Sequence, residues 1–136
     1  MDYFDLFALG NFAAYFATAL VTLLIFKYTV IAITPYQEWR LIKEEKNVAA
    51  AVALGGSLLG FSIAINGVLQ NAVNYIDFAI WSLVALFAQV ISIIIVRFVF
   101  MPKFVERIEN NELGAAIVAA AMYIAVGLLN AGSMTY

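Results

Sequence analysis

The sequence predicts an all-α polytopic membrane protein. Its four transmembrane helices form two similar helical hairpins, with short cytoplasmic interfacial segments between membrane helices. Three observations carry this. The chain is 65% hydrophobic and only 12% charged, where a soluble domain is about 45–50% apolar and about 25% charged. A soluble fold of 136 residues could not hide that much apolar surface, so lipid must solvate it. Four apolar stretches each approach or exceed the roughly 20 residues a bilayer core requires. The second and fourth of these share a pattern of small residues at a constant spacing.

The first membrane helix is expected from about Phe12 to Ile33. Met1-Asp2-Tyr3-Phe4-Asp5 lacks the basic n-region of a signal peptide, and the apolar run behind it is too long for an h-region. The segment is therefore expected to stay attached. Thr34-Pro35-Tyr36-Gln37 then reads as a helix start, with Thr34 as cap, Pro35 at the first helical position and Gln37 completing a capping box. Tyr36, Trp39 and Ile42 fall on one face of it, as in a short helix lying in the headgroup region.

The second helix is expected from Val48 to Leu69 and the third from Phe78 to Phe100, across the short polar connection Gln70 to Asp77. Asp77 faces outer water or caps the third helix. Met101-Pro102-Lys103-Phe104 begins another interfacial segment, with Phe104, Val105 and Ile108 apolar. The fourth helix is expected from Leu113 to Leu129. No connection is long enough to fold by itself, so residues 1–136 form a single membrane domain.

All seven basic residues fall in or beside the first and third connections: Lys27, Arg40, Lys43, Lys46, Arg97, Lys103 and Arg107. Positive residues are retained in the cytoplasm. Both termini and the Gln70–Asp77 connection are therefore expected outside, which is the periplasm in a Gram-negative cell. Val48-Ala49-Ala50-Ala51-Val52 matches Leu113-Gly114-Ala115-Ala116-Ile117 at an offset of 65 residues, and Gly67 and Gly132 keep it. Two helices per repeat restore the starting side, so halves near residues 12–69 and 78–132 read as parallel repeats.

Ala49, Ala53, Gly56, Gly60, Ala64 and Gly67 recur every three or four residues and share one helix face. Gly114, Ala121, Ala125 and Gly132 occupy matching places in the fourth helix. Small residues let helix backbones approach in lipid. These stripes suit internal packing, a homo-oligomer seam, or both.

Gln89 lies near the middle of the third helix, where an amide needs a partner because lipid offers none. An interhelical hydrogen bond and a solute or ion path are its two readings. Lys27 and Arg97 lie one to two turns inside the basic boundary. Lys27 is roughly 10 Å from the level of Thr34 at 1.5 Å rise per residue. Such side chains snorkel to the headgroups or line an inner mouth.

The sequence contains no Cys and no His, which removes thiolate and imidazole chemistry and nearly every zinc, iron or copper site. No cofactor is implied. No nucleophile–base pair, acid pair or phosphate loop stands out, so an enzyme is not expected. Seven basic residues and a net charge of -2 exclude a nucleic-acid footprint.

Thr34-Pro35-Tyr36, Glu38, Asn47 to Ala51, Gly55-Gly56 and Gly60 together resemble the bacterial domain-of-unknown-function family 350, the YjfL-like inner-membrane proteins. Gln89, Arg97, Gly127 to Ala131 and Met134-Thr135-Tyr136 fit the same pattern. The resemblance spans nearly the whole chain. It implies four membrane helices and the bacterial cytoplasmic membrane, but no established activity. It also hints at envelope upkeep beside membrane-remodelling proteins. The expected partners are membrane lipids, further copies of the chain, and a cytosolic membrane-remodelling protein. Trp39, Arg40, Lys43, Lys103 and Arg107 would form the cytoplasmic face for lipid or partner. An ion or small-solute conduit between subunits is the alternative.

Overall fold

The structure is a computed structural model that describes residues 6–34, 38–100 and 103–134. Every regular element among them is helical. In chain order these are α1 (Leu6–Ile33), α2 (Glu38–Lys43), α3 (Val48–Asn71), α4 (Tyr75–Ile95), α5 (Phe104–Glu109) and α6 (Leu113–Gly132). A π-helical segment, Val96–Phe100, extends α4. Helices α1, α3, α4 with its extension, and α6 are long and apolar enough to cross a membrane. They correspond to the four spans expected from the sequence. The start of α1 and the end of α6 extend a few residues beyond the apolar stretches.

Local chemistry sets the helix starts. Asn47 caps α3 by accepting a hydrogen bond from the Ala50 amide at 2.9 Å. Asn74 caps α4 by accepting from the Asp77 amide at 2.8 Å, and Asp77 accepts in return from the Val73 amide at 3.2 Å. Asp77 thus completes a reciprocal cap whose leading residue is Asn74. The expected cap at Thr34-Pro35-Tyr36-Gln37 lies outside the described residues except for Thr34. The Thr34 hydroxyl donates back to the Val30 carbonyl at the end of α1. The Met1–Asp5, Met101-Pro102 and Thr135-Tyr136 portions of the sequence reading also lie outside the described residues.

The core is centred on α3, the most buried of the long helices. Its most extensive contact is with α6. A Cβ on Gly60 would lie within 3 Å of the Tyr123 backbone, and one on Gly127 within 3 Å of the Gly60 backbone. Only glycine permits that approach. Gly56 faces Ala120 and Gly67 faces Ala131 in the same way. These contacts advance together along both helices, so α3 and α6 run in the same direction.

Helices α1 and α4 also run in the same direction. Tyr15 packs on Phe78 with ring centroids 5.1 Å apart near one end, and Thr34 meets Arg97 at the other. Phe26 of α1 stacks on Phe61 of α3 at 4.5 Å and 6°. Most of α1 is otherwise peripheral and presents apolar side chains outward, as lipid-facing surface does.

The corners leading into α3 and α6 are built alike. Lys46 and Asn111 both adopt left-handed backbone, φ 51° and 57°. Each stands two residues before the start of the following long helix.

Candidate functional site

Two features stand out from the apolar bundle: a buried polar network between the long helices, and a charged platform at the end that carries α2 and α5.

The network begins at Asn130. Its Nδ2 donates to the Ala85 carbonyl at 3.2 Å and to Gln89 Oε1 at 3.4 Å. Gln89 is fully buried, and its Nε2 donates to the Tyr123 carbonyl at 3.1 Å. The Tyr123 side chain, also buried, carries the path toward the basic end. There its hydroxyl accepts from Arg97 Nε at 3.2 Å. The other end of the guanidinium, NH1, donates to the Thr34 hydroxyl at 2.7 Å. Its Cζ lies 5.0 Å from the Phe104 ring centroid, a cation–π distance. The network joins α1, α4 and α6 and lies against α3 at Gly60. In a low-dielectric interior such linked groups orient one another and disfavour alternative packings. Ser82 lies on the inward side of α4, and its buried hydroxyl has no hydrogen-bond partner among the described residues.

Arg97 owes its position to the π-helical segment. An extra residue in the turn shifts the helix register, and Val96 and Arg97 are buried while Phe98 and Val99 are exposed. Arg97 is 5% exposed, so its head is turned into the bundle. Lys27 is half-buried on α1, with Nζ 5.7 Å from the neighbouring Tyr28 ring. The two basic residues that look equivalent in sequence occupy different environments.

The platform is clamped to the bundle. Asn47 Nδ2 donates to the Ile108 carbonyl of α5 at 2.7 Å, and Asn111 Oδ1 accepts from the Ala49 amide of α3 at 2.9 Å. Leu41 of α2 and Phe104 and Ile108 of α5 are buried beneath it. Arg40, Lys43, Lys103 and Arg107 are exposed on top, as are Glu44, Glu45, Glu106 and Glu109. Arg40 and Glu44 pair at 3.4 Å on the surface, where such pairs contribute little. Of Trp39 only the backbone in α2 is described. Beside the platform a pocket of about 360 Å³ opens between the end of α1, the π-helical segment and α5. Ile33, Ile94, Phe98, Phe104 and Val105 form its apolar walls, and Arg97 and Lys103 its charged part.

The small-residue stripes divide. Ala49, Ala53, Gly56, Gly60, Ala64 and Gly67 are all buried on α3. Gly114, Ala121, Ala125 and Gly132 are exposed on α6. Ala116, Ala119, Ala120, Tyr123 and Gly127 form the buried face of that helix instead. Gln89 hydrogen-bonds within its own chain and presents no surface to a neighbouring copy.

Sequence reasoning did not single out Tyr123, Thr34 as a ligand to Arg97, or Asn111. Tyr is a common membrane-surface anchor. The signal against that reading was depth: Tyr123 stands near the middle of the Leu113–Gly132 helix, far from either boundary. Among the described residues no group of His, Cys, Asp and Glu side chains could hold a metal ion.

The family model described as Domain of Unknown Function (DUF350) matches residues 4–134. The UPF0719 inner membrane protein YjfL of Escherichia coli (strain K12) is 36% identical over 125 residues, which cover 92% of this chain and 93% of the relative. The UPF0719 transmembrane protein YshE of Bacillus subtilis (strain 168) is 27% identical over 122 residues, 88% of each chain. No solved structure matches the chain significantly.

Proposed function

The chain belongs to the DUF350 family, and from that footing we propose that it is a small homo-oligomeric inner-membrane scaffold that recruits a cytosolic partner involved in envelope maintenance. The carrying observation is the clamp between α3 and α5, made by Asn47 and Asn111. It holds a surface of mixed charge in fixed relation to the membrane helices. A preorganised surface loses less entropy on binding than a mobile loop would.

In this reading the α2–α5 end, where the basic residues collect, is cytoplasmic, a position that the retention of positive residues supports. The same reading puts both termini in the periplasm. Parallel repeats account for the common direction of the two hairpins and for the matching corners at Lys46 and Asn111. The outward face of α6, with Gly114, Ala121, Ala125 and Gly132, suits contact with a second copy. The fully buried, internally bonded Gln89 supports the scaffold over a conduit between subunits.

The test reconstitutes the full chain in nanodiscs of neutral lipid and exposes it to the soluble fraction of the source cell. Changing Arg40, Lys43 and Arg107 together to Gln should release the proteins that the unaltered chain retains, with helix content and oligomer mass unchanged. Retention of the same proteins at the same level would defeat the recruiting reading.

A further inference from the structure

We propose that the pocket between the end of α1, the π-helical segment and α5 is a binding site for one anionic phospholipid. Lys103 would face its phosphate, with the buried Arg97 behind it on the inner wall, and an acyl chain would descend along Phe98 and Ile94. The inference shares with the recruiting reading only the placement of the α2–α5 end at a headgroup surface.

Three observations carry it. The pocket combines two cations with otherwise apolar walls, the composition of a phospholipid where headgroup meets chain. Its volume of about 360 Å³ is that of a small ligand site. It also lies at the correct depth. Arg97 lies just inside the end of the membrane-spanning helix at Val99, and Lys103 immediately precedes the amphipathic α5. A phosphate at Lys103 therefore sits at the membrane boundary, while the exposed Phe98 and then Ile94, one turn deeper, continue the wall into the hydrocarbon.

The cations differ in a useful way. The Arg97 guanidinium is oriented by the Thr34 and Tyr123 hydroxyls and by the Phe104 ring. With Nε and NH1 committed to those hydroxyls, it adds fixed positive charge to the inner wall of the pocket. Lys103 is exposed and supplies a mobile point charge that can close over the headgroup. Arg40, Lys43 and Arg107 do not line the pocket, which separates a built site from general attraction between a basic surface and acidic lipid.

The experiment is native mass spectrometry of the full chain released from nanodiscs containing equal amounts of phosphatidylglycerol and phosphatidylcholine with matched acyl chains. The unaltered chain should retain phosphatidylglycerol in preference. Lys103→Gln should lower that preference about fivefold, the change expected for one cation at a headgroup. Lys46→Gln, at an exposed cation that does not line the pocket, should leave it unchanged. Ile94→Trp, which fills the apolar part, should lower retention of both lipids while circular dichroism shows the fold intact. Millimolar inorganic phosphate should not displace the lipid, because the acyl chain supplies much of the binding. Equal retention of the two lipids would overturn the proposal. So would a Lys46→Gln effect as large as that of Lys103→Gln, retention unaffected by Ile94→Trp, or displacement by inorganic phosphate. Partner retention in neutral nanodiscs is read independently, so either reading can fail while the other stands.

Discussion

Tyr123 is held by α4 at both of its polar ends: Arg97 Nε donates to its hydroxyl at 3.2 Å, and Gln89 Nε2 donates to its backbone carbonyl at 3.1 Å. One residue of α6 thereby fixes the rotation and the height of α4 against it. The two donors stand eight positions apart on α4, roughly 12 Å at 1.5 Å per residue. A register shift of one turn would break both bonds.

Tyr123→Phe removes the hydroxyl but keeps the ring. It should destabilise the protein by about 1–2 kcal/mol, since a buried charged donor loses one acceptor. Thr34→Val removes another acceptor of the same guanidinium. The two changes should couple by about 0.5 kcal/mol or more, as partners in one network do. Denaturation in mixed micelles of the two single variants and the double variant measures this. Strict additivity would show that the two hydroxyls act separately.

Gln89→Leu should lower stability by about 1 kcal/mol, the range for interhelical hydrogen bonds in membranes. It should leave the ion permeability of reconstituted vesicles where it was. A change in flux without a change in stability would return Gln89 to a conducting path and count against the scaffold.

Gly60→Ala and Gly127→Ala should each disrupt the α3–α6 contact, because the added Cβ meets backbone that cannot move aside. Gly114→Ala and Gly132→Ala meet open space and should be neutral or stabilising by up to about 1 kcal/mol through helix propensity. Thermal unfolding of the four variants provides the comparison. Equal losses at all four would mean that the outward α6 face meets its neighbour as closely as α3 meets α6.

Ala121→Leu with Ala125→Leu probes that outward face directly. The prediction is a folded protein of reduced oligomer mass in mild detergent and in nanodiscs, because bulk on a small-residue face keeps helices apart. An unchanged mass would place the oligomer contact elsewhere or show that there is none.

Asn47→Ala removes both a helix cap and the tie to α5, and should cost about 1–2 kcal/mol. Asn111→Ala removes only the tie to the Ala49 amide, apart from its effect on a left-handed residue. Both should raise hydrogen exchange in residues 104–109 relative to the middle of α6. Unchanged exchange there would show that the buried Phe104 and Ile108 hold α5 without help.

The four spans were legible in the sequence because lipid imposes a simple condition. Backbone polar groups must be satisfied within each helix, so length and apolarity define the segments whatever their neighbours. The α3 stripe was legible for a related reason: its small residues recur with the helical period and all of them are buried. Helix α6 was harder. Ala and Gly occur around most of its circumference, so composition did not say which side meets α3. Ala120, Tyr123 and Gly127 form that side, while Ala121 and Ala125 face outward.

By itself the sequence determined the number of membrane helices, their lengths, the clustering of basic charge at one end and the need for Gln89 to find a partner. Only the tertiary structure decided who the partners are. That choice depends on the rotation of each helix about its own axis, where one residue is about 100°. Burial of unlike faces sets that rotation, and the π-helical turn at Val96–Phe100 resets it locally. Arg97 is carried inward by that turn to Thr34 and Tyr123, while Lys27, similar to it in sequence context, stays on the flank of α1.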